Sequence, residues 1–142
     1  WGLRGSEDLG GGLKANFVLE SGFNSDTGAP GNTSKLFDRQ AWVGLSSSMG
    51  SLNFGRQDSL TRTLHLGYAD ISAEGELTVV ENIVATGSAV ATRPLHQNFG
   101  TRVDNSVKYI SPNFSGFQFQ AMVGLGEGPS TARHQGVLVG YA

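Results

Sequence analysis

Residues 117–125 read FQFQAMVGL. A period of two puts Phe117, Phe119, Ala121, Val123 and Leu125 on one face of a strand and Gln118, Gln120, Met122 and Gly124 on the other. One face is wholly apolar. Residues 13–20 repeat the pattern, with Leu13, Ala15, Phe17 and Leu19 set against Lys14, Asn16, Val18 and Glu20. Residues 102–111 set Val103, Val107 and Tyr109 against Arg102, Asp104, Ser106 and Lys108, and residues 136–142 set Val137, Val139 and Tyr141 against Gly136, Leu138 and Gly140. Two segments are less clean. In 36–46, Phe37, Ala41, Val43 and Leu45 share parity with Arg39, while Trp42 falls with Asp38, Gln40 and Gly44; in 51–57, Leu52 and Phe54 share parity with Arg56. A strand covered by protein on its outer side shows such blurring, because neither face meets bulk solvent.

The segments between these strands alternate in length. Short Gly- or Ser-rich turns fall at 7–12, 47–50 and 111–116, and long polar connections at 21–35, 58–101 and 126–135. That order is an up-and-down meander with tight turns at one rim and long loops at the other. No helix is needed, except inside 58–101. A structureless connection of that length is rare in a compact soluble domain unless it is functional. Strands of about 8 to 11 residues suit a tilted crossing of an apolar band about 25 Å tall, whereas strands of soluble sandwiches are commonly about 5 to 6 residues. With residues 1–6 counted, seven antiparallel strands are visible. A lipid-embedded barrel must close, and bacterial examples have an even count of at least eight, so the expectation is an all-β section of a larger barrel. The start at Trp1 agrees with that expectation.

Composition excludes other classes. Of 142 residues 21 are Gly, yet no third-position repeat exists, so collagen is out. The chain is 38% hydrophobic and 9% aromatic, too apolar for disorder. A net charge of -2 shows none of the basic excess of a nucleic-acid binder. No apolar run approaches a membrane-spanning helix. Without Cys there is neither a disulfide framework nor a thiolate metal site.

Three stretches together resemble the Gram-negative trimeric porins of β-proteobacterial and neisserial type: WGLRGSEDLGGGLKANFVLESGFN (1–24), LFDRQAWVGLSSSMGSLNFGRQ (36–57) and RVDNSVKYISPNFSGFQFQAMVGLGE (102–127). The resemblance covers nearly all of 1–142 apart from the loops. It implies strands two to eight of a sixteen-stranded transmembrane barrel, with 58–101 as the inward-folded constriction loop. It further implies a homotrimer in the cell outer membrane, among lipid and lipopolysaccharide, passing small hydrophilic solutes and ions. On this resemblance Trp42, Leu52 and Phe54 lie at or near the subunit contact. The acids Asp70, Glu74, Glu76 and Glu81 belong to the constriction loop, with Arg39 and Arg102 on the basic wall opposite. Arg56 is a further wall candidate.

A pore biases which ions pass by arranging charge across a constriction, and Arg suits a permanent wall charge because it keeps its proton. By parity Lys108 joins Arg102 on the lumenal face, and Lys14 faces the lumen on its own strand; both lysines are expected as solvated rim charges. The expected bias is towards anions. The bland alternative for Arg102 is an ion pair with Asp104 or a loop acid. His65, His96 and His134 lack metal-ligand spacing, and no nucleophile elbow appears, so neither a metal, a cofactor nor an enzyme is expected. Gly10, Gly11 and Gly12 lack the helix and Lys of a phosphate loop and read as a tight turn. The competing class is a soluble or surface-displayed β domain that binds glycan or protein ligands. Against it stands the five-residue apolar face of 117–125, a large patch to leave in water.

Overall fold

The computed structural model describes residues 1–64, 102–126 and 134–141, the last stretch by its backbone. The elements are β1 (Gly2–Gly10), β2 (Leu13–Glu20), β3 (Gln40–Ser47), β4 (Gly50–Asp58), α1 (Leu60–Leu64), β5 (Arg102–Ile110), β6 (Phe117–Gly124) and β7 (His134–Tyr141). They form one seven-stranded antiparallel sheet in chain order, each strand pairing with its sequence neighbours. The fold is all-β, as the alternation predicts. The first strand runs four residues beyond the expected 1–6, and β3 begins at Gln40 rather than within 36–39.

Local chemistry sets the turns. β1 reverses into β2 through Gly10, Gly11 and Gly12, at φ 86°, 62° and 81°, a run of left-handed backbone that side chains would resist. At the far end of β4, Ser59 caps α1: its Oγ accepts a hydrogen bond from the Arg62 N–H at 3.2 Å. The connection leaving β4 therefore begins with a single helical turn, which lies against β6 and β7.

Register joins the alternating strands into continuous rows across the sheet. One row runs Gly5, Phe17, Val43, Phe54, Val107, Val123, and the next on the same face runs Glu7, Ala15, Leu45, Leu52, Tyr109, Ala121. The opposite face carries the row Ser6, Asn16, Gly44, Asn53, Lys108, Met122 and the row Arg4, Val18, Trp42, Gly55, Ser106, Gly124. The burial of these faces is inverted relative to a water-soluble protein. Val43 is 61% exposed and Leu125 58%, while Ser106 is 1% exposed and Lys108 6%. The apolar rows face outwards, and the polar rows face the side on which α1 lies.

Register accounts for the mixed pattern in β3 and β4. Within the sheet Val43, Leu45, Leu52 and Phe54 form a clean outward patch, and the charges of the same parity, Arg39 and Arg56, lie at the ends of these strands nearest the long connections. Trp42 does not share a face with Leu52 and Phe54. It pairs with Gly55 on the polar side, and its indole N–H donates to Gln40 Oε1 at 2.8 Å.

Candidate functional site

Among the described residues most charged side chains lie on the polar face or at the rim bearing the long connections, and three ion-paired groups organise them there. At the β2–β3 end, the Arg39 Nε–H donates to Glu20 Oε1 at 2.6 Å, and Gln40 Nε2 donates to Glu20 Oε2 at 3.2 Å. At the β4–β5 end, Arg56 Nη1 meets Asp104 Oδ1 at 2.6 Å and Lys35 Nζ meets Asp104 Oδ2 at 2.5 Å. Arg56 also donates through Nε to the Asp38 carbonyl at 2.7 Å, so the 21–39 connection is tied to two strands that do not adjoin β2. The third group sits where β4 becomes α1. There the Asp58 carboxylate has Arg62 Nε at 3.1 Å and Arg102 Nε at 3.6 Å. Arg39, Arg56 and Arg62 all lie within electrostatic reach of Arg102. Four guanidinium groups thus crowd one rim.

Beneath them, two neutral side chains of the polar wall pair with each other. Gln57 Nε2 donates to Ser106 Oγ at 3.0 Å, and the Ser106 hydroxyl donates to the Gly55 carbonyl at 2.7 Å. Buried polar groups persist when paired in this way. Beside them Leu60, Val103 and Met122 form a small apolar cluster joining α1 to β5 and β6. The connection thus starts out across the polar face rather than away from it.

The sequence-derived candidates divide accordingly. Arg39, Arg56 and Arg102 are drawn to one rim but into separate ion pairs. Arg102 pairs with Asp58, the acid that opens the 58–101 connection, which is the loop-acid branch of the bland alternative; Asp104 is taken by Arg56 and Lys35. Lys108 is not a solvated rim charge. Its ammonium donates to the Asp58 carbonyl and to Thr63 Oγ1, each at 3.1 Å, beneath α1. Lys108 and Arg102 are also not linked by simple parity. A bulge at Asn105, φ 48°, inserts one extra residue into β5, so that Arg102 stands opposite Asp58 while Lys108 stands opposite Asn53. Lys14 lies on the polar-row side at the tight-turn rim, opposite Asp8 and Ser46.

Asp70, Glu74, Glu76 and Glu81 lie outside the described residues, as do His65 and His96, and His134 is described by its backbone alone. Among the described residues no cluster of His, Cys, Asp or Glu is placed to hold a metal, and no helix is long and apolar enough to cross a membrane, which says nothing of a β-barrel. Arg62 and Thr63 are participants that sequence reasoning missed, and Asp58, legible as an acid at the loop rim, gains its partners only from the fold. Their signal was present in DSLTRTL, an acid and a capping Ser ahead of an apolar residue, which marks a helix start.

A meander with an apolar outward belt, a polar inward face and charge concentrated at the loop rim is the pattern of a section of a transmembrane β-barrel. The whole chain, residues 1–142, matches the Gram-negative porin family, and it belongs to that family. It is 45% identical over 120 residues to an outer membrane porin protein of Bordetella pertussis, covering 84% of this chain and 28% of that one. Over 147 aligned residues it is 35% identical to outer membrane porin protein 32 of Delftia acidovorans, covering 99% and 40% respectively. Among solved structures, an anion-selective porin from Comamonas acidovorans superposes with a TM-score of 0.73 at 34% identity, over 99% of this chain and 42% of that one. The chain thus spans less than half the length of these relatives. Its place is the outer membrane, and its family is one of channels rather than enzymes.

Proposed function

We propose that the full-length protein is a general diffusion porin, a passive, non-catalytic channel for small hydrophilic solutes and ions. The observation that carries this reading is the two-faced sheet: an exposed aliphatic and aromatic belt backs directly onto a polar wall, an arrangement suited to lipid on one side and water on the other. In this reading residues 1–142 supply strands two to eight of a sixteen-stranded barrel that assembles as a homotrimer, and 58–101 is its constriction loop. The inward start of that loop at α1 supports the last point. Asp70, Glu74, Glu76 and Glu81 would then place negative charge across the pore from the arginines.

A preference for anions follows from the crowding of Arg39, Arg56, Arg62 and Arg102 at one rim, since field strength inside a narrow water-filled pore biases ion entry. The solved anion-selective relative supports the same direction. Reversal potentials in planar bilayers under a salt gradient test it. The wild type is expected to favour chloride, and Arg102→Ala to move the reversal potential towards the cation side. A cation-selective wild type, unaltered by Arg102→Ala, would overturn the preference; failure of the purified protein to conduct at all would overturn the channel reading.

A further inference from the structure

Lys108 is a buried charge that permeation does not explain. It is 6% exposed, it sits mid-strand on the polar face of β5, and α1 covers it. A buried ammonium is retained where its donors find acceptors, since an unpaired one is costly. Lys108 finds two, one on each side of the junction between wall and loop. The Asp58 carbonyl ends β4, and the Thr63 hydroxyl lies within α1. Thr63 in turn donates to the Ser59 carbonyl at 3.0 Å, and Ser59 caps the helix. The Asp58 side chain, drawn by Arg62 on the helix and Arg102 on β5, spans the same junction from its other side.

We propose that Lys108, with Thr63 and Asp58, is a latch that holds the root of the long connection against the inner wall, so that Lys108 acts as a positioning residue for the constriction rather than as a charge lining the open pore. This deepens the porin reading and rests on it. Two neighbouring strands and the first helical turn are pinned by one ammonium. Its loss lets the turn lift from the wall, and the pore cross-section then fluctuates instead of holding one value.

The test is single-channel recording of the full-length protein in planar bilayers, comparing wild type with Lys108→Met, Lys108→Arg, Thr63→Val and the double variant Lys108→Met/Thr63→Val. Lys108→Met is expected to spend about tenfold more time in sub-conductance levels, the population change that accompanies loss of a charged hydrogen bond. Thr63→Val should show the same behaviour more weakly, the double variant should be no noisier than Lys108→Met, and Lys108→Arg should restore part of the quiet state. A reversal-potential shift in Lys108→Met with steady current would overturn the latch and make Lys108 a lining charge, as would unchanged current in every variant. If Lys108→Met does not fold, Thr63→Val carries the comparison, and steady current there overturns the proposal. A wild type without channels would instead fail the porin reading itself.

Discussion

Asp104 shows how little the residues at the loop rim need contribute to stability. It holds both Lys35 and Arg56, yet its side chain remains 46% exposed. Ion pairs that open to water typically contribute about 0 to 1 kcal/mol. Asp104→Asn is therefore expected to leave unfolding in denaturant within about 1 kcal/mol of wild type. Its effect belongs to the field instead: two cations lose their shared counter-charge, and the reversal potential moves further towards anions. Loss of several kcal/mol, or a shift towards cations, would contradict this assignment. The same scale explains why Lys108 reads in the sequence as a solvated charge although it is buried. Its neighbours along β5, Val107 and Tyr109, are typical of a strand, and nothing in that stretch announces the α1 turn folded over it from elsewhere in the chain. The Asn105 bulge hides equally well, because parity counted along a sequence assumes one residue per step and the extra residue has no composition of its own.

The strands themselves were legible because each must satisfy two solvents at once. Phe117, Phe119, Val123 and Leu125 are all exposed, as their alternation with Gln118, Gln120 and Gly124 requires. In β1 and β2 the pairing adds a detail that alternation cannot give: the Phe17 ring lies over Gly5, filling the space where a side chain at Gly5 would stand. Where the pattern looked mixed, in β3 and β4, the fault lay in reading past the ends of the belt into its charged rim. Aromatic rings mark both edges of that belt. Trp1 packs on Phe37 with ring centres 5.8 Å apart near the long connections. Towards the tight turns Tyr109 packs on Phe119 at 5.5 Å and donates its hydroxyl to the Met49 carbonyl. A matched pair of substitutions tests the facing. Val43→Arg, in the middle of the outward belt, is expected to cost about 2 to 4 kcal/mol in refolding into lipid vesicles. Ser51→Arg, on the polar face and bordered by Ser46 and Ile110, should cost about 1 kcal/mol or less on the scale of ordinary surface changes. The reverse order would mean that the faces have been exchanged.

At the scale of the whole sheet, much of the apolar surface lies outside and much of the polar surface inside, the reverse of a water-soluble domain. The proposed trimer is tested by mass. In mild detergent the full-length protein should elute with three times the chain mass by light scattering, and a monomer mass that persists across detergents would reject it. The family match over all 142 residues joins the residue-level observations to a known architecture, but the neighbour-only ladder carries a meaning of its own. Each of the six strand pairings links segments adjacent along the chain, so each can be completed as soon as the following segment arrives. Contacts between near neighbours close small loops and form early, whereas the β4–β5 pairing must close the long connection between Asp58 and Arg102. The wall can therefore be laid down hairpin by hairpin at a bilayer surface, and a lengthened 21–39 connection would delay one closure without changing the order in which the others are made.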